Sequence, residues 1–232
     1  MNPAAQHIPE TSLVLLFVKA PIKGRVKSRL AVVVGEEAAL ALYRGFILDT
    51  IAAVEEVGDG LRIAVHPPDA LQAVSAWLGP SYELMPQRGD DLGARMSNAF
   101  EAAFAQGCSR AILIGSDIPD LPSQMVRDSL AALESHDAVI GPAEDGGYYL
   151  IGFQRSAFLP AIFRGMAWST NTVFYDTMHK LREASLRVHV APQWRDVDTR
   201  EDLQALIERS RGSSFERSHT MEYLKKHPLI PD

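Results

Sequence analysis

The feature that most constrains the fold of this chain is a repeated alternation between short apolar runs and longer segments with helical spacing. Residues 13–18 (LVLLFV) form a continuous apolar run, which is typical of a strand covered on both faces. Mostly apolar side chains then recur at three- and four-residue intervals from Tyr43 to Val54, which predicts a helix. The repeated order of strand and helix predicts an α/β, three-layer sandwich with a mainly parallel mixed sheet.

The same two periodicities place the other elements. Strands are predicted at residues 61–65, 82–85, 111–114, 138–140, 148–153 and 187–190. Helices are predicted at residues 70–78, 94–105, 123–134, 171–183 and 200–207. In open sheets of this kind ligands bind at the carboxyl ends of the strands, so the loops after the strands should carry the chemistry.

Composition narrows the class of protein. The 232 residues are 47% hydrophobic and 22% charged, which suits a folded domain with a sizeable core. Lys and Arg number 23 against 29 Asp and Glu, a net charge of −6, which argues against a nucleic-acid partner because phosphate binding needs a basic face. The single cysteine, Cys108, cannot form an internal disulfide, and we therefore expect a cytoplasmic location.

Composition also suggests how the chain is divided. No apolar run reaches the roughly 20 residues of a membrane span, and no export signal is visible. From about Arg211 the apolar period is lost and the sequence turns polar. We therefore predict one domain over residues 1–210 and a polar C-terminal extension over residues 211–232, lying on or beyond that domain.

The loop after the first strand, KAPIKGRVKSRL, is strongly cationic. Its basic residues are Lys19, Lys23, Arg25, Lys27 and Arg29. With Gly24 as its only glycine, the loop matches neither the dinucleotide-binding pattern nor the P-loop. It can hold a polyphosphate by charge and by Arg hydrogen bonds; a solvated basic loop is the alternative.

The fourth strand ends in ILIGSDIPDLP. Asp117 follows the buried run directly, and Gly115 lets a ligand approach the backbone closely. A carboxylate held at this edge suits a hydrated Mg²⁺ (or Mn²⁺), so Asp117 is the first predicted metal ligand. A helix cap or a turn is the alternative role for such an Asp, and we expect Asp120 to cap the helix at residue 123 instead.

The loop GPAEDGGYYLIG carries Glu144 and Asp145, then paired glycines and an aromatic strand. The glycines permit a tight turn with positive φ and leave room for a substrate, but a β-hairpin turn without a ligand explains them equally well. Tyr148 and Tyr149 should point to opposite faces of the strand, so that one of them belongs to the core.

Near the C-terminus, RDVDTREDLQAL carries Asp196 and Asp198 on one face of an extended segment. Thr199 or a neighbour then opens a helix with an acidic first turn, as the helix dipole favours. The DxDxT pattern also occurs in haloacid dehalogenase-type phosphatases, but the 34 residues after Asp198 are too few for the rest of that fold. Asp198, supported by Asp196, is therefore predicted as a second metal ligand facing Asp117, with helix capping as the alternative.

Six phrases of the sequence, in chain order, resemble the motifs of one family: KAPIKGRVKSRL, QRGDDLGARM, GSDIPDLP, GPAEDGGYYLIG, WST and DVDTREDL. They are similar to the bacterial DUF2064 family, or radical-SAM/selenodomain-associated transferases, of the nucleotide-diphospho-sugar transferase superfamily. The likeness spans residues 13–206, with a more distant similarity to 2-phospholactate guanylyltransferases and molybdenum cofactor guanylyltransferases. The resemblance implies a GT-A-type fold that handles a nucleoside triphosphate or a nucleotide sugar with Mg²⁺.

The resemblance also implies roles for single residues. It places Lys19, Arg25, Lys27 and Arg29 on the phosphates, Gln87 and Gly89 near the nucleobase, and Asp117, Asp198 and Asp196 at the metal. Arg25, Lys27 and Asp117 are the predicted catalytic residues. The other predicted nucleotide- and substrate-binding residues are Gly24, Ser116, Asp145, Gly146, Gly147, Tyr148 and Trp168.

The predicted reaction is nucleotidyl transfer from a nucleoside triphosphate to a small-molecule acceptor bearing a phosphate or carboxylate, with release of pyrophosphate. Sugar-transferring relatives usually have DxD at the fourth strand, whereas this chain has Ser116-Asp117-Ile118, which favours nucleotidyl transfer. A glycosyltransferase that uses a nucleotide sugar and a non-catalytic nucleotide-binding module are the alternatives. The sequence leaves the base, the acceptor and the oligomeric state open.

Overall fold

The computed structural model of the protein describes residues 12–229, so the first 11 residues of the predicted domain lie outside the described residues. The described chain forms one seven-stranded sheet. Its strands are β1 (Ser12–Lys19), β2 (Gly60–His66), β3 (Glu83–Pro86), β4 (Arg110–Gly115), β5 (Ala138–Pro142), β6 (Tyr148–Gln154) and β7 (Val188–Val190).

Helices of the described residues connect these strands. They are α1 (Ser28–Val34), α2 (Glu36–Glu55), α3 (Leu71–Leu78), α4 (Leu92–Ala105), α5 (Ser123–Ala132), α6 (Val173–Glu183), α7 (Arg200–Ser210) and α8 (His219–Lys226). Arg29, which the sequence placed in a loop, thus lies in α1. Within residues 12–229 no helix is both long enough and apolar enough to cross a membrane.

The strand order in the sheet is β3-β2-β1-β4-β6-β5-β7. Neighbours β3, β2, β1 and β4 are parallel to one another, and β7 is parallel to β5. Strand β6 is antiparallel to both of its neighbours, β4 and β5. The predicted mainly parallel mixed sheet is therefore confirmed.

The sheet separates two apolar cores, which gives the predicted three layers. Val14 and Leu16 of β1 belong to the core that contains α2, α5, α7 and α8. Leu15 and Phe17 point the other way, into the core that contains α4 and α6. Alternate residues of a strand face opposite sides, so the unbroken apolar run of β1 arises because helices cover both of its faces.

Of the two helix caps predicted from the sequence, that of α7 is confirmed and that of α5 is wrong. Thr199 caps α7 in a capping box with Asp202, as the sequence predicts. The prediction that Asp120 caps α5 is wrong, because Pro122 occupies that position without a side-chain cap. Asp120 instead accepts two hydrogen bonds from the guanidinium of Arg209, at 2.5 and 2.9 Å.

The segment after residue 210 continues as a 3-10 turn over Ser214–Arg217 and then as α8, which packs on α2. The carboxylate of Asp49 on α2 accepts hydrogen bonds from the backbone N–H groups of His219 and Thr220, at 2.7 and 3.0 Å. Met221 and Leu224 are buried in the same core as α2. Helix α8 is therefore attached to α2 both by hydrogen bonds and by apolar packing.

Candidate active site

The candidate site lies where β1 and β4 end side by side. The register pairs Phe17 with Gly115, so Lys19 and Asp117 both stand two residues beyond that pair. The backbone carbonyl of Asp117 accepts a hydrogen bond of 2.9 Å from the N–H of Val197. This bond draws the segment with Asp196 and Asp198 to the same edge of the sheet.

Lys27 is the centre of the site. Its side chain is only 3% exposed, and its ammonium forms ion pairs with Asp117 and, at 2.9 Å, with Asp198. The same ammonium lies 5.4 Å from the ring centroid of Phe46 and 5.8 Å from that of Tyr43, within cation–π range. A buried lysine is thus held between two carboxylates and two aromatic rings.

Lys27 is unusual both in the pKa of its ammonium and in its backbone conformation. Burial by itself lowers the pKa of the Lys27 ammonium, but the charges and hydrogen bonds of Asp117 and Asp198 outweigh it and raise the pKa above its ordinary value. Lys27 therefore stays charged in this environment. It also has φ of +48°, a left-handed conformation that costs a non-glycine residue about 1–2 kcal/mol.

A buried tyrosine holds the edge of the sheet from below. The hydroxyl of Tyr43 accepts a hydrogen bond from the backbone N–H of Lys19 at 3.0 Å and is 2.8 Å from the hydroxyl of Ser116. Both Tyr43 and Ser116 are buried, and burial raises the pKa of the Tyr43 phenol well above its ordinary value. Tyr43 thus holds Ser116, the residue before Asp117, which is also a predicted nucleotide-binding residue.

The basic side chains that follow β1 do not all meet at one place. Arg29, with its side chain 70% exposed, donates to Asp198 at 2.6 Å, whereas Lys23 pairs at 2.5 Å with Glu37 on α2. Arg25 is exposed, and neither Arg25 nor Lys19 forms an ion pair with another residue of the described chain. Gly24 provides the positive φ, +72°, at which this loop turns.

Asp196 lies next to this cluster and behaves differently from its neighbours. Burial, reinforced by the charges of Asp117 and Asp145 and opposed by Lys27, raises the pKa of the Asp196 carboxyl to about 8. Asp196 is therefore mostly protonated at neutral pH in the absence of an added cation. The negative charge of Asp145 acts on Asp196 from nearby. The Asp145 carboxylate also accepts a hydrogen bond of 2.9 Å from the backbone N–H of Gly147.

The carboxylates fit a cation that arrives with substrate. Among residues 12–229 no three His, Cys, Asp or Glu side chains stand ready to hold a metal ion. Asp117 and Asp198 nevertheless share one cation, the Lys27 ammonium. Mg²⁺ is commonly bound by one or two carboxylates and completes its shell with water and substrate phosphates. The two carboxylates at this edge of the sheet match the protein ligands of such a Mg²⁺ ion. They do not match a site in which four protein side chains hold a metal permanently.

The paired glycines lie in the hairpin between β5 and β6. Gly146 has φ of +90°, and a Cβ there would overlap the backbone of Asn171, so the hairpin and the segment before α6 touch backbone to backbone. The hairpin turn therefore has a packing role, and Gly146 and Gly147 stay predicted substrate-binding residues. Tyr149 is buried beneath one face of the sheet, while Tyr148 faces the other and donates to the sulfur of Met96 at 3.8 Å.

Trp168 lies on the same flank, stacked against α4. A Cβ at Gly93 would come within 2.7 Å of the Trp168 ring, so Gly93 makes room for the indole. The indole nitrogen is buried and has no hydrogen-bond partner in the described part of the chain. Trp168 therefore remains a predicted substrate residue with an unused donor.

Gln87 and Gly89 serve the architecture. Gln87 is 5% exposed, and its side-chain amide donates to the carbonyls of Ala64 at 2.8 Å and Val18 at 3.3 Å. Both amide hydrogens are thus engaged in tying strands together. Gly89 has φ of +137°, and a Cβ there would lie 2.7 Å from the backbone nitrogen of Arg95. Their proximity to the nucleobase stays a prediction, and in this structure the amide donors of Gln87 are engaged by the backbone.

The structure therefore brings Lys27, Arg29, Asp117, Asp196 and Asp198 together and leaves several other predicted site residues on the two flanks. The role of Tyr43 was not predicted from the sequence, because a tyrosine on an apolar helical face has the pattern of an ordinary core residue. The feature that could have revealed this role is the Tyr43 hydroxyl, since the hydroxyl of a buried tyrosine usually forms a hydrogen bond.

Comparison with known proteins identifies the family of the chain. The family model described as "Uncharacterized protein conserved in bacteria (DUF2064)" matches residues 50–170, slightly more than half of the chain. The chain belongs to this family. It is also 43% identical to a crystallised protein of Desulfovibrio desulfuricans G20, provisionally described as a nucleotide-diphospho-sugar transferase; the match covers 94% of this chain and 95% of that one, with a TM-score of 0.91.

Two further comparisons extend the likeness of this DUF2064 chain. A curated relative, 2-phospho-L-lactate guanylyltransferase of Methanothermobacter thermautotrophicus, is 27% identical over 86% of this chain and 84% of its own length. A nucleotidyl transferase structure from the same genus has a TM-score of 0.58 at 14% identity, covering 86% of this chain and 97% of that one, which shows the fold alone. The family and the GT-A-type fold expected from the sequence are confirmed.

Proposed function

We propose that this protein is a metal-dependent nucleotidyltransferase, which transfers a nucleotidyl group from a nucleoside triphosphate to a small-molecule acceptor bearing a phosphate or carboxylate. The transferase class is supported by the names of the relatives that are 43% and 27% identical, and nucleotidyl transfer by the second of them. The observation that carries the proposal is the convergence of Lys27, Asp117 and Asp198 at the ends of β1 and β4.

In the proposed reaction an acceptor oxygen attacks the α-phosphorus in line, the bond from that phosphorus to the β-phosphate oxygen breaks, and pyrophosphate leaves. Lys27, fixed by its burial and its two carboxylates, places a positive charge where negative charge spreads over the phosphoryl oxygens. A divalent cation held by Asp117 and Asp198 with the phosphates would supply further charge neutralisation. Positioning and electrostatics carry this reaction without a covalent intermediate.

No histidine is needed as a base in this proposal. His219 is the first residue of α8, and its backbone is bound by Asp49 on α2. An acceptor phosphate or carboxylate is already ionised at neutral pH and requires no proton removal before it attacks.

The test is product analysis after a binding screen. Nucleoside triphosphates and nucleotide sugars are screened by thermal shift with and without Mg²⁺ or Mn²⁺, because a ligand that binds the native state raises the melting temperature. Stabilising nucleotides are then incubated with phosphorylated and carboxylated acceptors. Release of pyrophosphate supports the proposal, and release of a nucleoside diphosphate or monophosphate from a nucleotide sugar would instead assign a glycosyltransferase. Binding without any product would identify a nucleotide-binding module.

A further inference from the structure

A second group of basic side chains, Lys19, His66 and Arg95, lies at the ends of β1 and β2, apart from the Lys27 centre. Lys19 and His66 are register partners at the last positions of these parallel strands. Arg95 belongs to the beginning of α4. Burial first, and then the charges of Arg95 and Lys19, lower the pKa of the His66 imidazole, so the three side chains share one electrostatic neighbourhood.

The loop before α4 holds this group in place. The backbone N–H of Gln87 donates to the carbonyl of Val65 at 2.8 Å, which joins the loop to the end of β2 next to His66. At Gly89 the loop touches the first turn of α4, since a Cβ there would lie 2.7 Å from the backbone nitrogen of Arg95. The start of α4 is thereby fixed beside the strand that carries His66.

Two buried polar atoms of this group lack partners in the described chain. Nδ1 of His66 and Nε of Arg95 are buried and form no hydrogen bond with any residue between 12 and 229. The same part of the chain offers no ion pair within 4 Å to Lys19 or Arg95. Asp69 and Asp91 act on the group only as more distant charges, and Asp91 is engaged as the cap of α4, where it accepts the N–H of Ala94 at 2.7 Å.

The Lys19, His66 and Arg95 group differs from the Lys27 centre in its counter-charges, and this difference indicates what it can bind. The ammonium of Lys27 and the guanidinium of Arg29 are balanced by Asp117 and Asp198. Within residues 12–229 Lys19 and Arg95 have no such balance, and a buried polar atom without a partner destabilises the folded state. An anionic group supplies both the missing charge and the missing acceptors, and an arginine fork with a lysine point charge suits phosphate or carboxylate.

We propose that Lys19, His66 and Arg95 form a second anion-binding subsite, which takes a phosphate or carboxylate group of a substrate. This assignment rests on the proposed function, because it places the subsite on the substrate-binding edge of the same sheet. It makes substrate-binding residues of Arg95, which lies in the phrase QRGDDLGARM but had no predicted role, and of His66, which lies in none of the six phrases.

The probe for this subsite is inorganic tripolyphosphate without a metal ion, titrated calorimetrically into the full chain. Arg95→Met keeps a long apolar side chain but removes the guanidinium, and should weaken binding by about tenfold or more. Arg95→Lys should lose less, since it keeps the charge. Arg155→Met is the matched control: Arg155 is exposed and lies at the opposite edge of the sheet, where its N–H donates to the carbonyl of Ser109 beside the start of β4.

Lys19→Met is a second, independent variant. The Lys19 side chain is exposed, so its removal leaves the core untouched, and it should weaken tripolyphosphate binding in the same direction. Thermal melts establish that each variant is folded. If Lys19→Met and a folded Arg95→Met bind tripolyphosphate as tightly as the unaltered protein, the subsite does not exist.

A panel of four nucleoside triphosphates separates anion binding from base reading. An anion subsite predicts that Arg95→Met weakens all of them by a similar factor, whereas selective loss for one base would overturn the assignment and make Arg95 a base-reading residue. The outcome is separable from that of the proposed function. Arg95-dependent tripolyphosphate binding without pyrophosphate release would refute only the transferase proposal, and pyrophosphate release with unaltered binding in both variants would refute only the subsite.

Discussion

The ammonium of Lys27 lies 2.9 Å from a carboxylate oxygen of Asp198, which stands 171 residues later in the chain. The same ammonium contacts Asp117 at the end of β4. Three separate parts of the chain therefore meet at one buried charge: the loop after β1, the loop after β4 and the segment before α7.

Replacing Asp117 should remove activity and leave the fold intact. The Asp117 side chain is 47% exposed and belongs to neither apolar core, and Lys27 keeps Asp198 as a partner, so Asp117→Ala should still fold, with a melting temperature lowered by the loss of one of the two carboxylates that balance the buried Lys27 ammonium. Metal-dependent pyrophosphate release should fall by about a hundredfold or more, because a proposed ligand of the divalent cation that neutralises the phosphates is lost. Asp128→Ala, at an exposed position of α5, is the control. Normal turnover in a folded Asp117→Ala protein would show that Asp117 is not a metal ligand.

Replacing Lys27 should destabilise the protein in a way that a divalent cation partly reverses. Lys27→Met leaves Asp117 and Asp198 without their shared cation, and we expect a loss of about 1–3 kcal/mol in the free energy of unfolding, limited because both carboxylates are partly exposed. Mn²⁺ replaces the missing positive charge and should raise the melting temperature of the variant more than that of the unaltered protein. Equal Mn²⁺ responses in the two proteins would contradict a cation site between these carboxylates.

Replacing Tyr43 tests the support beneath the site. Tyr43→Phe keeps the ring but removes the hydroxyl that accepts from the backbone of Lys19 and contacts Ser116. Because Ser116 is left buried with one partner fewer, the free energy of unfolding should fall by about 1–3 kcal/mol in urea titrations. Tyr175→Phe, at a residue that is 72% exposed, should have almost no effect. Equal stability of the two variants would mean that this hydroxyl does not hold the sheet edge.

The ion pair between Asp137 and Arg187 gives a pH dependence with a defined sign. Hydrogen bonds from Arg187 hold the pKa of the Asp137 carboxyl below its ordinary value of 3.8. The folded chain therefore binds this proton less readily than the unfolded chain, and the stabilisation is present above pH 3.8 and lost as the pH falls through the lower, folded value. Asp137→Asn should be less stable than the unaltered protein at pH 6, and the difference should shrink at pH 2–3. A difference that stays constant over this range would refute the assignment.

The two periodicities of the sequence were sufficient to find the strands, because a strand buried on both faces and an amphipathic helix each leave a local pattern. The run of β1 and the helical spacing after Tyr43 are examples, and both match the observed elements. Helix α8 escaped prediction because it is short, and its buried Met221 and Leu224 are surrounded by polar residues. Asp120 was misjudged because its partner, Arg209, lies 89 residues away.

The sequence by itself determined the order of the strands, the mainly parallel sheet and the loops that face its carboxyl edge, since these follow from local side-chain patterns and from the rules that connect strands. Only the tertiary structure decided which charges balance one another. It buried Lys27 between Asp117 and Asp198, sent Lys23 to Glu37, and left Lys19 and Arg95 without a counter-charge in the described chain. Charge pairing depends on distances across the fold, and no local pattern records them.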